Sequence, residues 1–221
     1  MSDTLLVSTR KGLFVLERGG KGWQIARKAF LGDNIALTSV DPRDGAWYAV
    51  LDLGHFGNKL QRSMDRGASW TECAVPAFAE GDEVVTGDGK PPVPAVLRLI
   101  WSLEAGGADQ PGRLWAGTIP GGLFRSDDRG ASWQMLRTLW DMPERKQWMG
   151  VAGGEQPGIN SVLVHPRNPD DIRIGVSTAG LWATTDGGKS WANINRGMYN
   201  EYMPPESREQ PLYKDIHRLA R

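Results

Sequence analysis

Gly122-Leu-Phe-Arg-Ser-Asp-Asp-Arg-Gly-Ala-Ser-Trp133 is a short apolar strand that runs into a tight polar turn and leaves through a tryptophan. The frame returns as Lys59-Leu-Gln-Arg-Ser-Met-Asp-Arg-Gly-Ala-Ser-Trp70 and as Gly180-Leu-Trp-Ala-Thr-Thr-Asp-Gly-Gly-Lys-Ser-Trp191. An eroded copy is Gly12-Leu-Phe-Val-Leu-Glu-Arg-Gly-Gly-Lys-Gly-Trp23. The three good copies fit Ser/Thr-x-Asp-x-Gly-x-Ser-Trp, and each position has a task in a hairpin. An Asp at the start of a turn accepts hydrogen bonds from N–H groups two or three residues on, which is the part expected of Asp65, Asp128 and Asp186. Gly67, Gly130 and Gly188 supply a backbone angle that a residue with a Cβ resists. The Ser bonds back across the loop, and Trp70, Trp133 and Trp191 open the outgoing strand with a large apolar face.

Three copies in register with a degenerate fourth set the fold class. The motif resembles the Asp-box, or BNR repeat, and the chain is similar over nearly its whole length to the Asp-box β-propellers, which include sialidases, xyloglucan-degrading hydrolases and sortilin-like receptors. The resemblance implies an all-β propeller built of four-stranded blades and a glycosyl-hydrolase-like ancestry.

The repeat arithmetic agrees. Trp23, Trp70, Trp133 and Trp191 are separated by 47, 63 and 58 residues, a blade-sized unit with insertions of variable length. The clearest unit spans 159–195. Ile159-Asn-Ser-Val-Leu-Val-His165 alternates as an inner strand, a turn over 166–171 leads to a second strand from Ile172, Leu181 to Thr184 make a third, and a fourth leaves Trp191. The same beat fits 35–77 and 97–139. The N-terminal unit, 4–30, enters at the second beat, and residues 215–221 look like an inner strand with nothing after it. Four blades' worth of strands therefore leave two readings. The chain is a single closed four-bladed ring over 1–221, or part of a six- or seven-bladed propeller, which the family resemblance favours. An open ring would expose an apolar blade face and predicts self-association.

Composition narrows the function classes. The 221 residues carry 26 Lys+Arg against 26 Asp+Glu, and no basic block suggests a nucleic-acid partner. Glycine (28), proline (14) and tryptophan (10) suit many short strands and turns. The single Cys73 excludes an internal disulfide and falls on a strand, where burial is expected. The N-terminal apolar run is short for a secretory signal and no stretch approaches a membrane span, so a cytoplasmic protein without a membrane partner is expected. One Cys and three scattered His give no metal site, and the glycine pairs fall in propeller turns, so no cofactor is expected.

Strand phase sorts the loops by face. The Asp turns all follow third strands and share a lower face, where their aspartates are structural. Long insertions over 78–92, 140–158 and 196–212 share the upper face, where a rigid scaffold tends to carry binding residues. The catalytic candidates there are Asp52, His55, Glu155 and Glu201; the ligand-binding candidates are Arg10, Phe56, Lys146, Trp148 and Tyr202. His55, beside a glycine and a ring in a widened turn, can titrate near neutral pH. Glycoside hydrolysis needs two carboxyl groups about 5–10 Å apart. Near the start neither Phe14 nor Phe30 is followed by Arg, so the sialidase Phe-Arg-Ile-Pro motif is missing and no catalytic residue of that family carries over. The expectation is a carbohydrate bound or hydrolysed at the upper face. The alternatives are a non-catalytic interaction scaffold and an inactive part of a larger propeller.

Overall fold

The computed structural model describes residues 3–85, 91–148, 156–210 and 212–220. The chain clusters into two compact units, Met1–Val75 and Pro76–Arg221, with the division where the first long insertion begins.

In the first unit β1 (Thr4–Thr9), β2 (Gly12–Gly19) and β3 (Gly22–Ala29) form a three-stranded sheet. Next comes a four-stranded sheet of β4 (Ile35–Val40), β5 (Trp47–Asp52), β6 (Asn58–Ser63) and β7 (Thr71–Cys73). In the second unit the insertion carries a small hairpin, β8 (Glu83–Val84) with β9 (Val93–Pro94). Two more four-stranded sheets follow: β10 (Leu99–Ala105), β11 (Leu114–Ile119), β12 (Leu123–Ser126) and β13 (Gln134–Met135); then β14 (Ile159–His165), β15 (Asn168–Val176), β16 (Gly180–Thr184) and β17 (Ala192–Asn193). Every pairing is antiparallel between neighbours in sequence, which is the meander of a propeller blade.

In two of the complete blades the second strand is the most buried. In β5 and β11 five consecutive residues, Trp47 to Leu51 and Leu114 to Thr118, are buried on both faces, so these strands read as continuous apolar runs rather than alternations. Around them the first unit packs Leu13, Ile35, Ala49 and Leu51, with Leu6, Phe30 and Trp70 against them. The second unit packs Trp115, Ile159, Val162, Ile174 and Trp182 in one cluster. Two of its blades approach closely. Ser102 Oγ donates to the Ile159 carbonyl at 3.0 Å, and a Cβ added to Gly117 would stand 2.5 Å from that same oxygen. Only glycine admits the approach.

Two expectations need correction. Residues 215–220 join no ladder, and Arg221 lies outside the described residues. Side chains claim this segment's backbone instead: Asn160 Nδ2 donates to the Ile216 carbonyl, and the Leu219 N–H donates to Ser161 Oγ at 2.9 Å. The other is Cys73, which is half-buried because β7 is the outermost strand of its sheet.

Candidate functional site

The three repeated turns share one hydrogen-bond pattern. Ser69 is held twice by Asp65: its N–H donates to Oδ1 at 2.9 Å and its hydroxyl to Oδ2 at 2.6 Å. Ser132 meets Asp128 at 2.8 and 2.6 Å, and Ser190 meets Asp186 at 3.0 and 2.6 Å. The opening Ser or Thr has a part of its own. Ser63, Ser126 and Thr184 each donate a hydroxyl to the aspartate at 2.7 Å and accept the N–H of the following glycine at 2.7, 2.8 and 2.9 Å. Gly67, Gly130 and Gly188 have φ of +84°, +85° and +91°. Trp70 and Trp191, half-buried, close onto the cores of their units.

These bonds stabilise the charged carboxylates. The Ser69 hydroxyl and N–H, with Ser63, bring Asp65 down to about 2. The Ser132 hydroxyl lowers Asp128, and the Ser190 and Thr184 hydroxyls lower Asp186. Both oxygens of each carboxylate accept from groups of the same turn, which makes these aspartates the centres of their turns.

The site that can receive a ligand is a cleft of about 310 Å³ in the second unit. The first insertion supplies Asp82 and Glu83; the stretch after β13 supplies Arg137, Asp141, Arg145 and Lys146. A single helical turn, α1 (Arg137–Trp140), places Arg137 and Asp141 on one side. Arg137 donates from Nη1 to Asp82 Oδ1 at 2.6 Å, and it grips Asp141 through Nη2 at 2.6 Å and Nε at 3.0 Å. Asp82, 7 % exposed, also accepts the Ala79 N–H at 2.9 Å, so it holds its own loop as well as the bridge. The two carboxylates push the Arg137 guanidinium further above its ordinary value, Asp82 most.

Behind this bridge lie rings. Phe78 packs at 5.0 Å from Trp140 and edge-on at 5.3 Å from Phe124. The Arg145 guanidinium carbon lies 3.5 Å over the Trp140 ring, and burial pulls this arginine down to about 10. A second cavity of about 280 Å³ in the first unit is lined by Leu6, Val40 and Trp47, and its one cation, Arg66, is bonded to Thr4 at 2.9 Å.

No protein-family model matches the chain. A curated relative, the probable oligoxyloglucan-reducing end-specific xyloglucanase of Neosartorya fischeri, is 31 % identical over 163 residues, 73 % of this chain and 17 % of the relative. The chain thus spans about a sixth of that protein's length. Among solved structures, the GH74 xyloglucanase of Xanthomonas campestris superposes with a TM-score of 0.57 at 21 % identity, over 87 % of this chain and 28 % of that one. YCF48 from Cyanidioschyzon merolae gives 0.54 at 16 % identity, over 97 % and 56 %. The fold is a β-propeller fold. At these identities the structural likeness carries the fold alone.

The candidates from the sequence are dispersed. Lys146 lines the cleft. Trp148 does not present a ring to a ligand: it is 3 % exposed, 5.7 Å from Trp182, and belongs to the core because the chain turns inward after Gln147. Glu201 and Tyr202 occupy an exposed turn, Tyr202 at 99 % exposure, and Glu155 lies outside the described residues. In the first unit Arg10 is in the exposed β1–β2 turn. Asp52 serves the following turn, accepting from the Gly54 N–H and from Asn34 Nδ2, both at 3.3 Å. His55 and Phe56 contact each other at 3.9 Å, with Phe56 74 % exposed. Among the described residues no three of His, Cys, Asp and Glu gather as metal ligands would.

Asp82, Arg137 and Asp141 carry the cleft from outside the repeated turns, and strand phase alone does not single them out. The usable signal is the i, i+4 spacing of Arg137 and Asp141 across the boundary between the 97–139 unit and the insertion that follows it.

Proposed function

We propose that the chain binds a carbohydrate at the cleft of the second unit. The observation that carries this reading is the Asp82–Arg137–Asp141 bridge, which fixes one wall of a concave cleft that Glu83, Arg145, Lys146 and the Trp140 ring also line. A few preset polar groups over an apolar backing suit a sugar, which offers hydroxyls on its rim and C–H groups on its faces. The name of the curated relative points to an oligosaccharide of the xyloglucan type as the first ligand to test.

Binding is favoured over hydrolysis. Cleavage by a carboxyl pair needs both groups turned to the scissile bond, whereas Asp82 and Asp141 turn to the same guanidinium and are fixed by it. The three repeated turns act as Asp boxes that give the scaffold its rigidity and leave ligand contact to the insertions.

Calorimetric titration with xyloglucan oligosaccharides tests the proposal. Saturable binding is expected, weakened about tenfold in Asp141→Asn, which loses one charged contact of the bridge. Absence of binding, or equal affinity in Asp141→Asn and Lys146→Ala, would contradict it. Release of reducing sugar by the chain would replace binding with hydrolysis.

A further inference from the structure

We infer that the cleft prefers a carboxylate-bearing sugar, a uronate or a similar acid, held by the guanidinium of Arg145 with Lys146 beside it; the inference rests on the carbohydrate reading above. Arg145 is 6 % exposed, yet among the described residues its Nε has no hydrogen-bond partner. Its Nη2 reaches one acceptor, the Gly121 carbonyl, at 3.5 Å, the outer limit of a hydrogen bond. A guanidinium carries five N–H donors, and leaving one of them, the Nε–H, unused in a buried place is costly.

The charges of the cleft balance, three carboxylates (Asp82, Glu83, Asp141) against three cations (Arg137, Arg145, Lys146). Hydrogen-bonding capacity does not balance among the groups behind the rim, where Glu83 is an exposed carboxylate. Asp82 spends one oxygen on Arg137 and the other on the Ala79 N–H, and both Asp141 oxygens accept from Arg137. Arg137 is thereby occupied, and among the described residues of the cleft Arg145 is the buried cation with a donor to spare.

Stacking on Trp140 fixes the plane of the Arg145 fork, so an incoming carboxylate can be met by two parallel N–H donors without loss of side-chain freedom. A neutral hydroxyl offers a single uncharged oxygen and cannot match the fork with two parallel acceptors. Lys146, exposed and next in sequence, adds a further positive charge to the cleft.

The test compares a neutral xyloglucan oligosaccharide with an oligogalacturonate of equal length on the full chain, by calorimetry at constant salt. The acidic ligand is expected to bind about tenfold tighter. That preference is expected to be lost in Lys146→Glu, a surface change that leaves the core alone, and reduced in Arg145→Lys, whose folding is checked by thermal melting. Equal affinity for the two ligands, or a preference unchanged in both variants, would overturn the inference and leave the carbohydrate reading standing. No binding of either ligand would overturn both.

Discussion

Arg137 Nη1 lies 2.6 Å from Asp82 Oδ1, across 55 residues of chain, and this pair joins the first insertion to the stretch that follows β13. Asp82 is the buried partner and Arg137 the half-exposed one. Removing the guanidinium in Arg137→Ala leaves a buried carboxylate with one backbone donor, at an expected cost of about 1–3 kcal/mol. Hydrogen exchange would show it first at the Asp82 amide, which donates to the Ala79 carbonyl, and at the Ala95 amide, which donates to the Asp82 carbonyl and closes the base of the β8–β9 hairpin. Unchanged exchange there would mean the hairpin is held by other contacts.

The repeated turns predict an acid transition. Asp65, Asp128 and Asp186 have folded-state values below the ordinary carboxylate value near 4. As pH falls the unfolded chain takes up protons at these groups first, so their contribution is fully present above pH ~4 and is lost as pH drops through the folded values, about 2 for Asp65. Denaturant titrations from pH 5 to 2 should show stability falling with a shallower slope in Asp65→Asn and Asp186→Asn than in the parent. Equal slopes would remove the turns as its source.

Two glycines separate backbone strain from crowding. Gly197 has φ of +82° with open space where a Cβ would stand, whereas Gly188 has φ of +91° and a Cβ there would be 2.6 Å from Leu136 Cδ2. Gly197→Ala should cost about 1 kcal/mol from the left-handed backbone alone, and Gly188→Ala about 2–4 kcal/mol, by chemical denaturation. A smaller cost at Gly188 would show that Leu136 yields freely.

Trp148, given by its sequence context as a ligand-binding ring, packs in the core beside Trp182. Trp148→Ala should therefore lower stability by about 3–5 kcal/mol, read as a shifted denaturant midpoint. A folded, undestabilised variant would return the residue to the cleft.

The strands are legible in the sequence because the turns are local. Ser126, Asp128, Gly130 and Ser132 lie within seven residues and satisfy one another, so their spacing alone determines the hairpin. Strand phase marks the long insertions as the place for a ligand, without their contents. The Asp82–Arg137 pair depends on how two irregular segments pack, which no periodicity encodes, and the burial of Arg145 depends on Trp140 and Phe78 meeting behind it. Residues 215–220 carry a strand-like pattern, but Asn160 and Ser161 side chains hold their backbone in place of a ladder.

Binding at the cleft is tested most sharply by amide chemical-shift mapping of the labelled chain during titration with a xyloglucan oligosaccharide. Saturable shifts are predicted at Asp82, Glu83 and from Arg137 to Lys146, with the amides of Ser69, Ser132 and Ser190 in the three turns unmoved. Shifts confined to the turns, or to the exposed stretch of His55 and Phe56, would contradict the cleft as the binding site.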